Sequence, residues 1–369
     1  MFDRNILREL QSALVASSSV LEERRALVGF DGYVDKLVRL KKNQNLPPEY
    51  FQTISEFSNR IASHSNQSCD IEVDCVSEKL GGNGPLLADA LAAKGAQVTC
   101  IGAFGYPELH PHFEEFAKHC TTLSVEQPAG TYAMEFADGK LMFGDSNSLS
   151  RIDYALLCDR VELSQMHRVT DESDLFCFTN WSGLVYANSI LDRFLAEIFP
   201  VLSNKKRMLF FDLADPSPKN PKQFQQFFTL LKKARRYFEV IIGLNPNECR
   251  LLYNHFFQEN AAVFSEDMLE ALRIKFPADE IAFHGIDTAS AGTKDIPMQE
   301  VQSERVEHPK IVTGGGDNFN SGYCAGKLMG LSPSLCACLG NISSMLYVAD
   351  GISPDLTRIL AEIDSKLSK

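Results

Sequence analysis

The chain reads as an α/β protein built on a mainly parallel β-sheet with a small second sheet, and three features of the sequence say so. From residue 174 onward, short apolar runs alternate with amphipathic segments, the rhythm of strand–helix units joined by right-handed crossovers. Residues 129–143 break that rhythm with two β-type runs around Ala137-Asp138-Gly139, a hairpin signal. Late in the chain, Thr313-Gly314-Gly315-Gly316-Asp317 runs into a helical segment. Bare glycine backbone at a helix start can hold an anion of phosphate size, because N–H groups are exposed and the helix end is positive. Asp317 stands where that helix begins, as a candidate N-cap and as a carboxylate beside the cradle.

In chain order, residues 3–25 carry Ile6, Leu7, Leu10, Leu14 and Leu21 near a helical period and form an N-terminal helix. Ala26 to Phe30 is a buried strand that empties into Gly29-Phe30-Asp31-Gly32-Tyr33-Val34-Asp35, a turn with two acids past a strand end. Residues 47–63 read as a helix, and Ile71, Val73 and Cys75 as a half-exposed strand. In Gly81-Gly82-Asn83-Gly84-Pro85, Asn83 is placed to cap a small-residue helix that ends at Gly95. Val98 to Ile101 is a strand ending at Gly102-Ala103-Phe104-Gly105. Further strands follow at 175–178, 208–213, 240–244 and 280–283, and helices at 186–199, 221–237, 248–257 and 266–275. The segment to 309 is irregular, and helices at 317–330, 333–349 and 354–367 close the chain.

At 369 residues the chain can bury a large core. A net charge of −12 argues against nucleic acid or an anionic membrane surface as the main partner. Ten scattered cysteines without a CxxC pair, no secretory leader and no apolar run of membrane-spanning length point to a cytoplasmic protein with reduced thiols. The eight histidines lack metal-helix spacing, Gly326-Lys327 sits in no Walker A loop, and neither a dinucleotide fingerprint nor a Gly-x-Ser-x-Gly elbow is present.

Polar or glycine residues follow six of the strands: Asp31/Asp35, Gly102/Gly105, Trp181/Ser182/Gly183, Asp212/Asp215, Asn245/Glu248 and His284/Gly285. In a parallel sheet such ends share one edge, so they suit a polar small-molecule site with a divalent cation. Asn245-x-x-Glu248 offers an amide and a carboxylate to Mg²⁺ held through water beside phosphates; it equally suits a helix cap.

Three of these motifs, in this order, resemble the ribokinase-like (PfkB) carbohydrate kinases. They are Gly81-Gly82-Asn83 with its helix and following strand–turn, Asn245-x-x-Glu248, and Thr313-Gly314-Gly315-Gly316-Asp317 followed by Phe319. The resemblance covers about residues 26–352. It implies one doubly wound α/β domain over 1–369, with a small β lid from about 36–76 and 129–147 and an extra N-terminal helix at 3–25. It also implies transfer of the ATP γ-phosphate to a hydroxyl of a sugar or sugar-like molecule, with Mg²⁺. On the matching positions Asp317 is the expected base and Gly314, Gly315 and Gly316 the anion hole. Asp31, Asp35, Gly82, Asn83 and Thr131 are expected at the acceptor. Asn245, Gly285, Thr313 and Asn341 are expected at the nucleotide, and Glu248 at the metal. Lids in this family often pair, which leaves a homodimer through the lid open. The sequence departs from the family at Ile311-Val312, at Arg250, at Asp212-Leu213-Ala214-Asp215-Pro216, which lacks an arginine, and at the widely spaced Gly285 and Gly292. These departures bear on nucleotide contacts and acceptor identity rather than fold. A nucleoside acceptor, or a non-catalytic sugar- or nucleotide-sensing role, remains an alternative.

Overall fold

The computed structural model describes residues 2–368. Its first half runs α1 (Arg4–Glu22), β1 (Arg25–Gly29), β2 (Tyr33–Leu40), α2 (Ile54–Ala62), β3 (Val73–Gly81), α3 (Asn83–Ala93), β4 (Gln97–Gly102), α4 (Phe116–His119), β5 (Thr121–Ser124), β6 (Ala129–Phe136), β7 (Gly139–Asp145), α5 (Tyr154–Arg160), α6 (Leu163–Glu172) and β8 (Leu175–Phe178). The second half runs α7 (Ala187–Arg193), β9 (Met208–Asp212), α8 (Pro221–Ala234), β10 (Glu239–Leu244), α9 (Pro246–Phe257), α10 (Glu266–Lys275), β11 (Glu280–His284), β12 (Thr288–Thr293), β13 (Gln299–Gln302), α11 (Gly315–Leu328), α12 (Pro333–Asp350) and α13 (Leu356–Ser368).

Nine strands form the large sheet in the order β13-β12-β11-β10-β9-β8-β1-β4-β5. Every pair from β11 to β5 is parallel, and β12 and β13 add antiparallel strands at one edge. The parallel strands are apolar and buried on both faces, as helices covering both faces require. One apolar core joins the sheet to α5 through α10 and is rich in phenylalanine; the other joins it to α1, α3, α11, α12 and α13. The chain leaves β1 for β4 and β5 on one side, then returns to β8 on the other. That reversal opens a crevice between the carboxyl ends of β1 and β8, the place where open α/β sheets bind ligands.

A second sheet of four strands, β3-β2-β6-β7, is pinned to the first by the short links Phe30 to Gly32 and Gly82. Within it β2 and β6 are parallel and the other pairs antiparallel. The hairpin turns at Asp138, with Phe136 opposite Gly139.

Several expectations need correction. The stretch after β1 is not only a turn: Tyr33–Leu40 is a strand, and Asp35 lies inside it, opposite Lys79 and Thr131. The helix expected over 47–63 occupies only Ile54–Ala62, since Pro47 and Pro48 keep the preceding chain out of helical geometry. Neither Asn83 nor Asp317 is an N-cap. Gly82 (φ 98°) and Gly314 (φ 96°) hold those positions, leaving Asn83 first and Asp317 third in their helices. The irregular segment before 309 contains β12 and β13, whose Thr-Ala-Ser-Ala-Gly-Thr run is too small and polar to signal a strand by itself. Among the described residues, no helix is long and apolar enough to cross a membrane.

Candidate active site

The glycine loop is held from below. Tyr347 Oη donates to the Thr313 carbonyl at 3.2 Å, and the Asn318 amide N–H and side chain both donate to the Gly314 carbonyl, at 3.0 and 3.1 Å. Gly314 has left-handed backbone, and a Cβ there would lie 2.7 Å from Tyr347 Oη, so only glycine fits. The N–H groups of Gly316 and Asp317 find no partner among the described residues. They are the unpaired donors that every helix start leaves, and here they are bare of side-chain caps.

This loop is the wall between two cavities. One, of about 430 Å³, is lined by Tyr33, Asp35, Thr131 and Met142 of the small sheet and its root, and by Asn83, Asn180, Asp215 and Asp317. The other, of about 460 Å³, is lined by His284, Gly285, Gly315, Gly316, Phe319 and Asn341, with part of the 303–309 segment. Asp317 therefore faces the first space, while the two glycines before it face the second.

Beneath Asp317 lies a set of buried acids interleaved with amides. Asn83 Nδ2 donates to Asp317 Oδ1 at 3.0 Å, and Asn320 Nδ2 and the Ala214 N–H donate to Asp212 at 2.9 and 2.8 Å. Asp31 accepts from the N–H groups of Asn83 and Gly84, from Asn180 Nδ2 and from the Thr179 hydroxyl, at 2.7 to 3.3 Å. Asp31 is fully buried, so it fixes the start of α3 and the Asn180 turn rather than lining the cavity.

Burial, followed by the charges of Asp212 and Asp31, pushes the Asp317 carboxyl well above the usual carboxylate range. Asp212 is pushed up to about 6, mainly by burial. Glu248 rises well above its ordinary value, again by burial first and then by Asp212. No lysine or arginine is among the main influences on these three. At the second cavity, burial lowers His284 to about 4, so it is a neutral ring, tilted 36° against Phe319 beside Gly316.

The residues expected at the acceptor thus divide. Asp35, Gly82, Asn83 and Thr131 line the first cavity, with Asp35 opposite Thr131 across β2 and β6, while Asp31 lies underneath. Of those expected at the nucleotide, Gly285 and Asn341 line the second cavity, but Thr313 lines the first. Asn245 and Glu248 line neither. They form a reciprocal capping box: Asn245 Oδ1 accepts from the Glu248 N–H, and both Glu248 oxygens accept from Asn245. The helix-cap reading of this pair is the one the contacts display.

Asn180, Asp212, Asn320 and His284 belong to the site's surroundings; Asp212 and His284 are among the polar strand ends of the sequence, whereas Asn180 and Asn320 fall in none of its motifs. Asn180 has left-handed backbone (φ 50°), and an asparagine two residues past a buried strand is its only sequence signal.

The fold and the two-cavity site define the class. The structure resembles ribokinase from Thermotoga maritima (TM-score 0.62, 14% identity, covering 94% of this chain and 99% of that one). It also resembles fructokinase with bound ATP from Xylella fastidiosa (TM-score 0.63, 15% identity, covering 95% and 100%). This is a ribokinase-like fold. A family model described as prokaryotic ketohexokinase matches residues 2–366, and the chain belongs to that family. A curated relative, the ketohexokinase of Haloferax volcanii, is 25% identical over 370 residues, spanning 97% of this chain and 96% of that protein. The chain is a carbohydrate kinase, an ATP-dependent phosphotransferase acting on a sugar hydroxyl.

Proposed function

We propose that the acceptor is a ketohexose, seated in the cavity between the small sheet and α3, and that Asp317 is the base. The observation that supports this reading is the placement of Asp317 and its glycine loop as the partition between two cavities. Asp35 and Thr131, buried on the small sheet, with Asn83 at the start of α3 and Asn180 in the loop after β8, offer the acceptors and donors a polyol needs. ATP occupies the second cavity with its γ-phosphate at the helix start. Asp317 takes the proton of the attacking hydroxyl, the oxygen bonds to phosphorus, and ADP leaves with the bridging oxygen. The free N–H groups of Gly316 and Asp317 hold the charge that gathers on the phosphoryl oxygens.

Magnesium fits this charge distribution. Four buried acids lie together without a neighbouring cation, although no three of them converge as a ready-made ligand set among the described residues. Asp212 and Glu248 would hold the ion through water. Bound there, the ion neutralises phosphate charge.

Two lesser expectations accompany this reading: a cytoplasmic enzyme, and a homodimer through the small sheet. The second is supported by Tyr132 and Phe143, paired across β6 and β7 and about half exposed.

The test is a panel of fructose, ribose and adenosine with ATP, read as ADP release, on the wild type and Asp317→Asn. Fructose is expected to give the highest kcat/KM, and Asp317→Asn to lose about 10²–10⁴ in kcat while remaining folded. Preference for adenosine or ribose overturns the acceptor, and near-wild-type turnover of Asp317→Asn overturns the base.

A further inference from the structure

A third cavity, of about 550 Å³, lies at the opposite edge of the large sheet, where the strands begin. Seven of its sixteen lining residues are lysine or arginine and two are acids, in a chain whose net charge is −12. Such a concentration on so acidic a protein needs a physical reason.

Part of it is structural. Lys205 pairs with Asp174, Arg235 with Asp279, and Lys327 with Glu239 and Glu280. Helix ends near this edge also favour cations, because their last carbonyls lack partners. That reason does not account for the rest. Lys206 and Arg236 are exposed and make no ion pair among the described residues, and Arg24 reaches Asp174 only at 3.7 Å. Arg207, 3% exposed, uses its terminal nitrogens on Asp171, Ser203 and Lys205, but its Nε is buried without a partner. A buried guanidinium N–H left unpaired is costly unless something else accepts from it.

We propose that this cavity binds a small anion carrying two or more phosphate groups, at a site separate from the catalytic one. Arg24 enters from the chain just before β1, Lys206 from before β9 and Arg236 from before β10. In the sheet order β10-β9-β8-β1 the first and last of these loops are three strands apart, about 14 Å at the usual spacing. A single phosphate cannot touch all three; a chain of phosphates can. Guanidinium forks favour phosphate oxygens over a point-like anion. Lys327, Leu328 and Met329, at the end of α11, also line the cavity. That helix begins at the glycine loop, so its 14 residues, about 21 Å long, run from one anion site to the other.

The experiment is calorimetric titration of inorganic tripolyphosphate into the full chain, with the catalytic cavities saturated by fructose and a non-hydrolysable ATP analogue. One further site per chain is expected, with affinity falling as salt rises. Arg236→Gln alone should weaken it about tenfold, the worth of one charge-assisted contact, and Lys206→Glu with Arg236→Glu should abolish it. All of these variants should retain the wild-type kcat without the probe. Lys118→Glu with Lys232→Glu, equal in charge but outside the cavity, should bind as the wild type does. No uptake beyond the catalytic site at millimolar probe overturns the proposal. Equal weakening by the control pair overturns it too, since that would be general charge attraction.

Discussion

On the proposed mechanism turnover depends on Asp317, and its setting makes the pH dependence specific. A base must be ionised, so activity should fall as pH drops through its folded pKa. Because burial and neighbouring acids raise that pKa, the acid limb of kcat/KM should lie above the ordinary carboxylate value of about 3.9, with an apparent pKa that belongs to the coupled acids together. A pH–rate profile checks this; an acid limb near 4 contradicts it. The same raised pKa means that the folded state favours the protonated carboxyl. Its stabilising contribution is present at low pH and fades as pH rises from the unfolded value through the folded one. Asp317→Asn, which cannot ionise, should therefore be at least as resistant to urea as the wild type at pH 8, while nearly inactive. Lys94 gives a second test. It is buried, donates to the Ala90 carbonyl and the Ser321 hydroxyl, and is lowered to about 7 by burial. Between about pH 7 and 10 the unfolded chain binds the extra proton, so stability carried by this group should rise with pH in that window. Lys94→Met should remove the rise, measured as the difference in urea midpoints between pH 7 and 9.

At the scale of elements, the start of α11 converts a turn into a cradle. Gly314→Ala would force a side chain into left-handed backbone, at about 1–2 kcal/mol, and push its methyl onto Tyr347. Loop distortion moves the N–H groups of Gly316 and Asp317, so kcat should fall at least tenfold, which steady-state kinetics would show. Tyr347→Phe should not rescue it, because the ring carbons themselves lie 3.1 Å from the added Cβ. The start of α9 illustrates how far spacing alone can be read. Asn245-x-x-Glu248 has one sequence pattern and two uses, cap and cation support, and only the contacts separate them. Its carboxylate is turned back on the backbone, which leaves any role at the cation to water-mediated reach.

For the molecule as a whole, the small sheet and the loops of the large one line one cavity, the one proposed for the acceptor, and we propose that they unfold as one cooperative domain. A non-hydrolysable ATP analogue and fructose, each at a hundred times its dissociation constant, should then each add about 2.7 kcal/mol to a single transition. Two separate transitions, with only one moved by fructose, would show that the small sheet melts alone.

Much of this was legible in the sequence because it depends on local pattern. Apolar runs such as Leu175-Phe176-Cys177-Phe178 between turn signals read as buried strands, and the glycines before Asp317 supply, at Gly314, the left-handed backbone that starts the helix. The strand order, and hence the crevice between β1 and β8, required the assembled sheet. So did the meeting of Asp31, Asn83, Asn180, Asp212 and Asp317, which come from five distant segments. Residue type and spacing determine what a segment can do with its own backbone. Which charge is desolvated, which amide is free and which cavity a side chain faces depend on neighbours far along the chain, and tertiary structure alone supplies them.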